Sequence, residues 1–251
     1  MKIGIVGKGG VGKTTLSALI CKGLAERGQR VIAIDTDSNP NLGMSLGLTL
    51  EEAEAIPVIP RRLVLGTDPG TTPTDLLAEY GRGTESGVRL LSAMRVDQAG
   101  AGCTCSSHAS VRSILGAALE EEADITLVDM EAGLEHLTRA GGTLAYADVL
   151  ITIMEPSRKS VLTAGRTVAL ADELGIPRTV GVGNKARLPG DDEFFAKLCA
   201  EFGVELAAVI PYHIDVVNAD RAGTGLGEGN GAEVRAAVEG LLDFLDGVPV
   251  A

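Results

Sequence analysis

Apolar residues recur with two different periods along the chain. Short aliphatic and β-branched runs at 3–6, 31–34, 88–93, 125–128, 149–153, 180–183 and 208–210 read as strands. Between them, apolar positions fall three or four residues apart. Residues 13–27 place Leu16, Leu19, Ile20 and Leu24 on one face, and Gly28 supplies a stop. The same spacing predicts helices over 107–121, 157–174, 191–202 and 232–245, the second of them ended by Gly175 and Pro177. This alternation predicts an α/β fold, with a mostly parallel sheet flanked by helices on both faces. Segment 49–87 holds four prolines and several Gly and Thr residues, and it yields only a short helix at 74–80. No linker divides the chain and no repeat is visible, so one domain over 1–251 is expected.

Composition changes this picture in three ways. The chain has three Tyr, four Phe and no Trp, against 33 Gly. Its core must be built from Val, Ile, Leu and Ala, which suits buried parallel strands; a GC-rich coding bias would enrich some of the same residues. The net charge of −12 argues against bulk-charge binding to nucleic acid and against a polybasic membrane-surface protein. No apolar run reaches the roughly 18 residues a membrane span needs. The opening run over 1–6 imitates a short leader, but glycines interrupt it and no small-residue cleavage site follows. A cytoplasmic protein is expected. The closing helix carries Val234, Val238, Leu241, Leu242 and Leu245 on one face and Glu233, Glu239, Asp243 and Asp246 elsewhere. Membrane-surface helices need basic residues on the polar face, so this one is expected to dock on the sheet.

The chemistry begins at Gly7-Lys8-Gly9-Gly10-Val11-Gly12-Lys13-Thr14-Thr15, which fits G-x-x-x-x-G-K-[ST] between a strand and a helix. Glycines in such a loop let backbone N–H groups turn around phosphate oxygens, and the helix N-terminus adds its positive dipole end. Lys13 is placed to reach the β- and γ-phosphates of ATP, and Thr14 to complete a Mg²⁺ shell. Lys8 is not required by the cradle itself. The stretch KGGVGKTT resembles the deviant Walker A motif of the SIMIBI class, which includes the MinD, ParA and nitrogenase iron-protein families. That resemblance implies that Lys8 acts across a homodimer on the partner's nucleotide, much as an arginine finger does.

Further segments agree with it. Asp35-Thr36-Asp37-Ser38-Asn39-Pro40-Asn41-Leu42 resembles the first switch of the class, which implies that Asp37 orients the attacking water and that Asp35 lies near the Mg²⁺ or orders the loop. Asp129 ends the apolar run 125–128 in the Walker B pattern, which makes it the expected Mg²⁺ ligand, direct or through water. Gly133 looks like the glycine of the second switch. Asn184, followed by Lys185, resembles the adenine-contacting Asn of the class. Pro211 and Tyr212 are candidates for the other side of the base.

Four cysteines remain. Cys21 and Cys199 sit among apolar neighbours and read as core residues. Cys103 and Cys105 form a glycine-flanked C-x-C ahead of a predicted helix. Two thiolates at this spacing can face one soft metal ion, but a tetrahedral site for Ni²⁺ or Zn²⁺ wants four. A symmetric dimer supplies the other two. A redox pair is the alternative, although a disulfide at this spacing is strained. A bridging iron–sulfur cluster is another, although the nitrogenase iron protein draws its cysteines from distant positions. His108 and His136 could add ligands, or serve as a helix-opening residue and a switch contact.

With these pieces on the page, GKGGVGKTT, DTDSNPNL, GCTC and DMEAGLEHLTR (with Glu131, Glu135 and His136), nearly the whole chain resembles the CooC-type ATPases of carbon monoxide dehydrogenase maturation. Ser106 departs from that family, where proline is expected after the second cysteine. The resemblance implies a dimerising ATPase that handles nickel for a carbon monoxide dehydrogenase client. A ParA/MinD-type partition or positioning ATPase is the alternative; it predicts basic patches for DNA or a basic amphipathic tail, and it leaves the C-x-C unexplained.

Overall fold

The computed structural model describes residues 1–60, 72–93, 123–131, 147–227 and 229–247. In chain order the elements are β1 (Lys2–Gly7), α1 (Lys13–Glu26), β2 (Val31–Asp35), α2 (Leu42–Ser45), α3 (Leu50–Glu54), α4 (Pro73–Tyr80), β3 (Arg82–Gly83) and β4 (Arg89–Ser92). They continue with β5 (Ile125–Asp129), β6 (Val149–Met154), α5 (Arg158–Glu173), β7 (Arg178–Ala186), α6 (Asp191–Phe202), β8 (Glu205–Pro211), α7 (Ile214–Ala222) and α8 (Ala232–Asp246). The helix expected over 107–121 lies outside the described residues.

The strands form one sheet in the order β3-β4-β2-β5-β1-β6-β7-β8. Every pairing is parallel except β3 with β4, an antiparallel edge. Successive side chains on a strand face opposite layers. Ile3 and Ile5 of β1, Val31 and Ala33 of β2, Ile125 and Leu127 of β5, and Val149 and Ile151 of β6 pack toward α1 and α8. Their neighbours Val6, Ile32, Ile34, Val128 and Leu150 pack toward α4 and α5. A slip of one residue would turn every one of these side chains to the wrong layer, so the apolar pattern on both faces sets the register. The scarcity of aromatics is met locally: Gly183 on β7 lets the ring of Phe195 on α6 lie against the strand, where an added Cβ would approach the ring to 2.7 Å.

The expected strands and helices among the described residues all form, with ends that match or shift by at most three residues. Segment 49–87 holds more structure than its sequence predicts. Thr49 caps α3 by accepting from the Glu52 N–H, and Thr72 caps α4 by accepting from Asp75, each in a capping box with Pro73 at the start of α4. Helices α2 and α7 have no counterpart in the periodicity. One turn is too short to show a period, and α7 buries none of its residues and so carries no apolar stripe. The closing helix α8 does dock: it packs on β8 and α1, with Val234, Val238, Leu241, Leu242 and Leu245 buried. Cys21 and Cys199 are free and buried; burial pushes the Cys199 thiol up to about 11. No described helix is long and apolar enough to cross a membrane.

Candidate functional site

Loops that follow β1, β2, β5, β7 and β8 all leave the carboxyl edge of the sheet, where parallel α/β sheets bind ligands. The phosphate loop joins β1 to α1. Its last glycine, Gly12, is the N-cap of α1 with φ 96°, and no side chain caps the helix or places an acid in its first turn. The N–H groups of that turn therefore face the loop with no capping side chain and no carboxylate from the helix's own first turn to offset their partial positive charge. Gly9 and Gly10 are exposed, Val11 is buried, and Thr14 and Thr15 are half-buried. Lys13 is buried, and its ammonium donates to the Lys8 carbonyl at 3.3 Å.

Asp129, at the end of β5, is buried beside this helix. It accepts from the Ser17 hydroxyl at 3.1 Å and from Thr14. Asp35 ends the neighbouring strand. Its carboxylate accepts from the Asp37 and Leu42 N–H groups, each at 3.0 Å, so it ties both ends of the 37–42 loop to β2. Burial, reinforced by the Asp129 charge, pushes the Asp35 carboxyl well above the usual carboxylate range. Burial raises Asp129 too, opposed by the hydrogen bonds from Thr14 and Ser17 and by the Lys13 charge. Two neighbouring buried carboxylates, both raised chiefly by burial, with a threonine hydroxyl beside them, form an oxygen donor set suited to a hard divalent cation such as Mg²⁺.

The 36–38 stretch is latched to the residues that follow β5. The Thr36 hydroxyl donates to the Asp129 carbonyl at 2.8 Å, and the Ser38 hydroxyl to Glu131 at 3.2 Å. Asp37 turns its own carboxylate onto the Asn39 N–H at 2.9 Å.

On the other side of the loop lies a cleft of about 130 Å³. Gly12, Thr15, Asn184, Lys185, Pro211 and Tyr212 contribute to its lining, so the residues singled out for the base converge on one wall-and-floor arrangement next to the phosphate loop. Arg187 and His213 line it as well and were not singled out by the sequence. The Arg187 guanidinium sits 3.7 Å from the centre of the Tyr212 ring. Its only sequence signal is its position two residues after Lys185. Ser17, the second hydroxyl on Asp129, was likewise unmarked; it lies one helical turn after Thr14 on α1.

Cys103, Cys105, His108, Gly133, Glu135 and His136 lie outside the described residues. Among the described residues, no group of three or more His, Cys, Asp and Glu is arranged to hold a metal ion.

Known proteins match this arrangement. The CbiA family, described as the CobQ/CobB/MinD/ParA nucleotide binding domain, matches residues 5–226. The carbon monoxide dehydrogenase accessory protein CooC of Rhodospirillum rubrum is 35% identical over 235 residues, covering 89% of this chain and 88% of the relative. An uncharacterised ATP-binding protein of Methanocaldococcus jannaschii is 30% identical over 236 residues, covering 89% and 90%. Among solved structures, the septum site-determining protein MinD of Pyrococcus horikoshii, in complex with Mg-ADP, superposes with a TM-score of 0.76 at 20% identity, covering 98% of this chain and 96% of that one. The cell division ATPase MinD of Pyrococcus furiosus does so with a TM-score of 0.77 at 19% identity, covering 99% of each. The chain belongs to the CobQ/CobB/MinD/ParA nucleotide-binding family of P-loop proteins, and within it to the branch that includes the CooC accessory protein.

Proposed function

We propose that the protein is an ATP-hydrolysing maturation factor that delivers nickel to a carbon monoxide dehydrogenase. The 35% identity to CooC along 89% of the chain carries this reading. In this reading the triphosphate of ATP lies in the 7–15 loop, with Gly9, Gly10, Val11, Gly12, Lys13, Thr14 and Thr15 around it, and the base enters the cleft beside Asn184, Pro211 and Tyr212. Thr14 and Asp129 would hold Mg²⁺, which screens phosphate charge when bound. Lys13 neutralises charge on the transferred phosphoryl group, Asp37 orients the attacking water, and Lys8 completes the site of a partner subunit.

Dimer closure brings Cys103 and Cys105 of each subunit to one Ni²⁺ or Zn²⁺ ion, and hydrolysis reopens the pair. A factor that uses ATP and keeps its thiols reduced would work in the cytoplasm. The net charge of −12 fits a protein client and not nucleic acid or a membrane.

Metal titration of the reduced protein tests the reading. Ni²⁺ or Zn²⁺ is expected to bind at about one ion per dimer, and Cys103→Ser with Cys105→Ser to abolish it. Binding that survives the double substitution would sink the shared thiolate site.

A further inference from the structure

Lys185 is the one described residue other than glycine with a clearly positive φ, 61°. It lies at the bulged end of β7, where pairing with β8 slips between Gly183 and Ala186. The left-handed conformation is disfavoured for a residue with a Cβ. Here it accompanies two successive side chains that both reach the phosphate loop. The Asn184 amide Nδ2 donates to the Val11 carbonyl at 2.7 Å, and the Lys185 ammonium donates to the Gly10 carbonyl at 2.6 Å.

Each of these carbonyls shares a planar trans peptide with the next N–H, and the two point in opposite directions. Drawing the Gly10 carbonyl toward Lys185 turns the Val11 N–H the other way. Drawing the Val11 carbonyl toward Asn184 does the same to the Gly12 N–H. Glycines 9, 10 and 12 would otherwise let this stretch sample many conformations, and ordering it on binding would weaken affinity.

We infer that Asn184 and Lys185 form a clamp that pre-orients the Val11 and Gly12 N–H groups for phosphate, so that Lys185 is a positioning residue of the phosphate loop and not a base contact. The inference rests on the nucleotide-binding reading of the loop. It also makes Asn184 a coupling point: a base that engages its amide oxygen meets a side chain already holding the loop.

The test titrates wild type, Lys185→Met and Lys185→Arg with Mg-ADP, Mg-IDP and Mg-pyrophosphate by calorimetry, with ligand-free thermal midpoints alongside. Lys185→Met is expected to weaken all three ligands by the same factor, roughly tenfold for one charge-assisted hydrogen bond. The ADP-to-IDP ratio stays constant, and Lys185→Arg recovers most of the loss. A changed ADP-to-IDP ratio with pyrophosphate unaffected would make Lys185 a base contact and overturn the clamp. Unchanged affinity for all three, or a loss that arginine does not relieve, overturns it equally. Wild type that binds neither nucleotide would overturn the nucleotide reading itself, and the clamp with it.

Discussion

Asp35 and Asp129 face one another as Cα partners at the last positions of the paired strands β2 and β5, and each is 2% exposed. Their raised carboxyl values mean that the folded protein holds protons the unfolded chain has already released. Where the folded state binds more protons, stability falls as pH rises. The window runs from the ordinary carboxylate range up to neutrality.

Thermal unfolding in chelator should therefore show a midpoint that drops between about pH 4 and about pH 7. Asp35→Asn should flatten that drop, because one of the two repelling charges is gone. Mg²⁺ with ADP should restore the midpoint at the alkaline end. An unchanged slope in the variant would show that the pair does not govern the pH response.

Gly12→Ala should damage the loop through both backbone and contact. Position 12 has φ 96°, and an added Cβ would run into the Asn184 amide. The left-handed backbone alone costs about 1–2 kcal/mol for a residue with a Cβ. The expected outcome is a lower thermal midpoint and a loss of at least about tenfold in ADP affinity, read by fluorescence titration. Wild-type affinity in this variant would contradict the close packing of Asn184 on the loop.

Lys8→Ala separates binding from assembly. Lys8 serves the loop through its main-chain carbonyl, which accepts from Lys13, so removing the side chain leaves that contact intact. The variant should bind nucleotide as a monomer and fail to dimerise with ATP, seen by light scattering after size exclusion. Normal ATP-dependent dimerisation would remove the trans role of Lys8.

Arg27→Ala tests the docking of α8. The guanidinium at the end of α1 reaches Glu239 and Asp243 at 2.6 Å and Asp246 at 2.7 Å. Each of these carboxylates is about half exposed or more, so solvent screens the network, and its removal should cost about 1 kcal/mol in low salt and less in high salt. Denaturant unfolding at two ionic strengths measures both. A salt-independent effect would point to lost packing of the arginine stem instead.

The alternation of strand and helix, the two-faced burial of the sheet and the phosphate loop were legible without coordinates, because each depends on short-range pattern. The run from Gly7 to Thr15 signals its own turn and its own helix start, and 3–6 cannot be buried on both faces except as a central strand. Capping boxes at Thr49 and Thr72 were equally local, and the second starts a helix the sequence shows, but α3, with five residues, carries too few apolar positions to show a period. Contacts between distant residues were decided only by the fold. Ser38 meets Glu131 because β2 and β5 are neighbours, Arg187 meets Tyr212 because β7 and β8 are, and the left-handed turn at Lys185 brings its ammonium to Gly10, 175 residues away. A motif names residues that act through their own backbone; which distant side chain holds that backbone in place depends on strand order, and strand order is a property of the whole sheet.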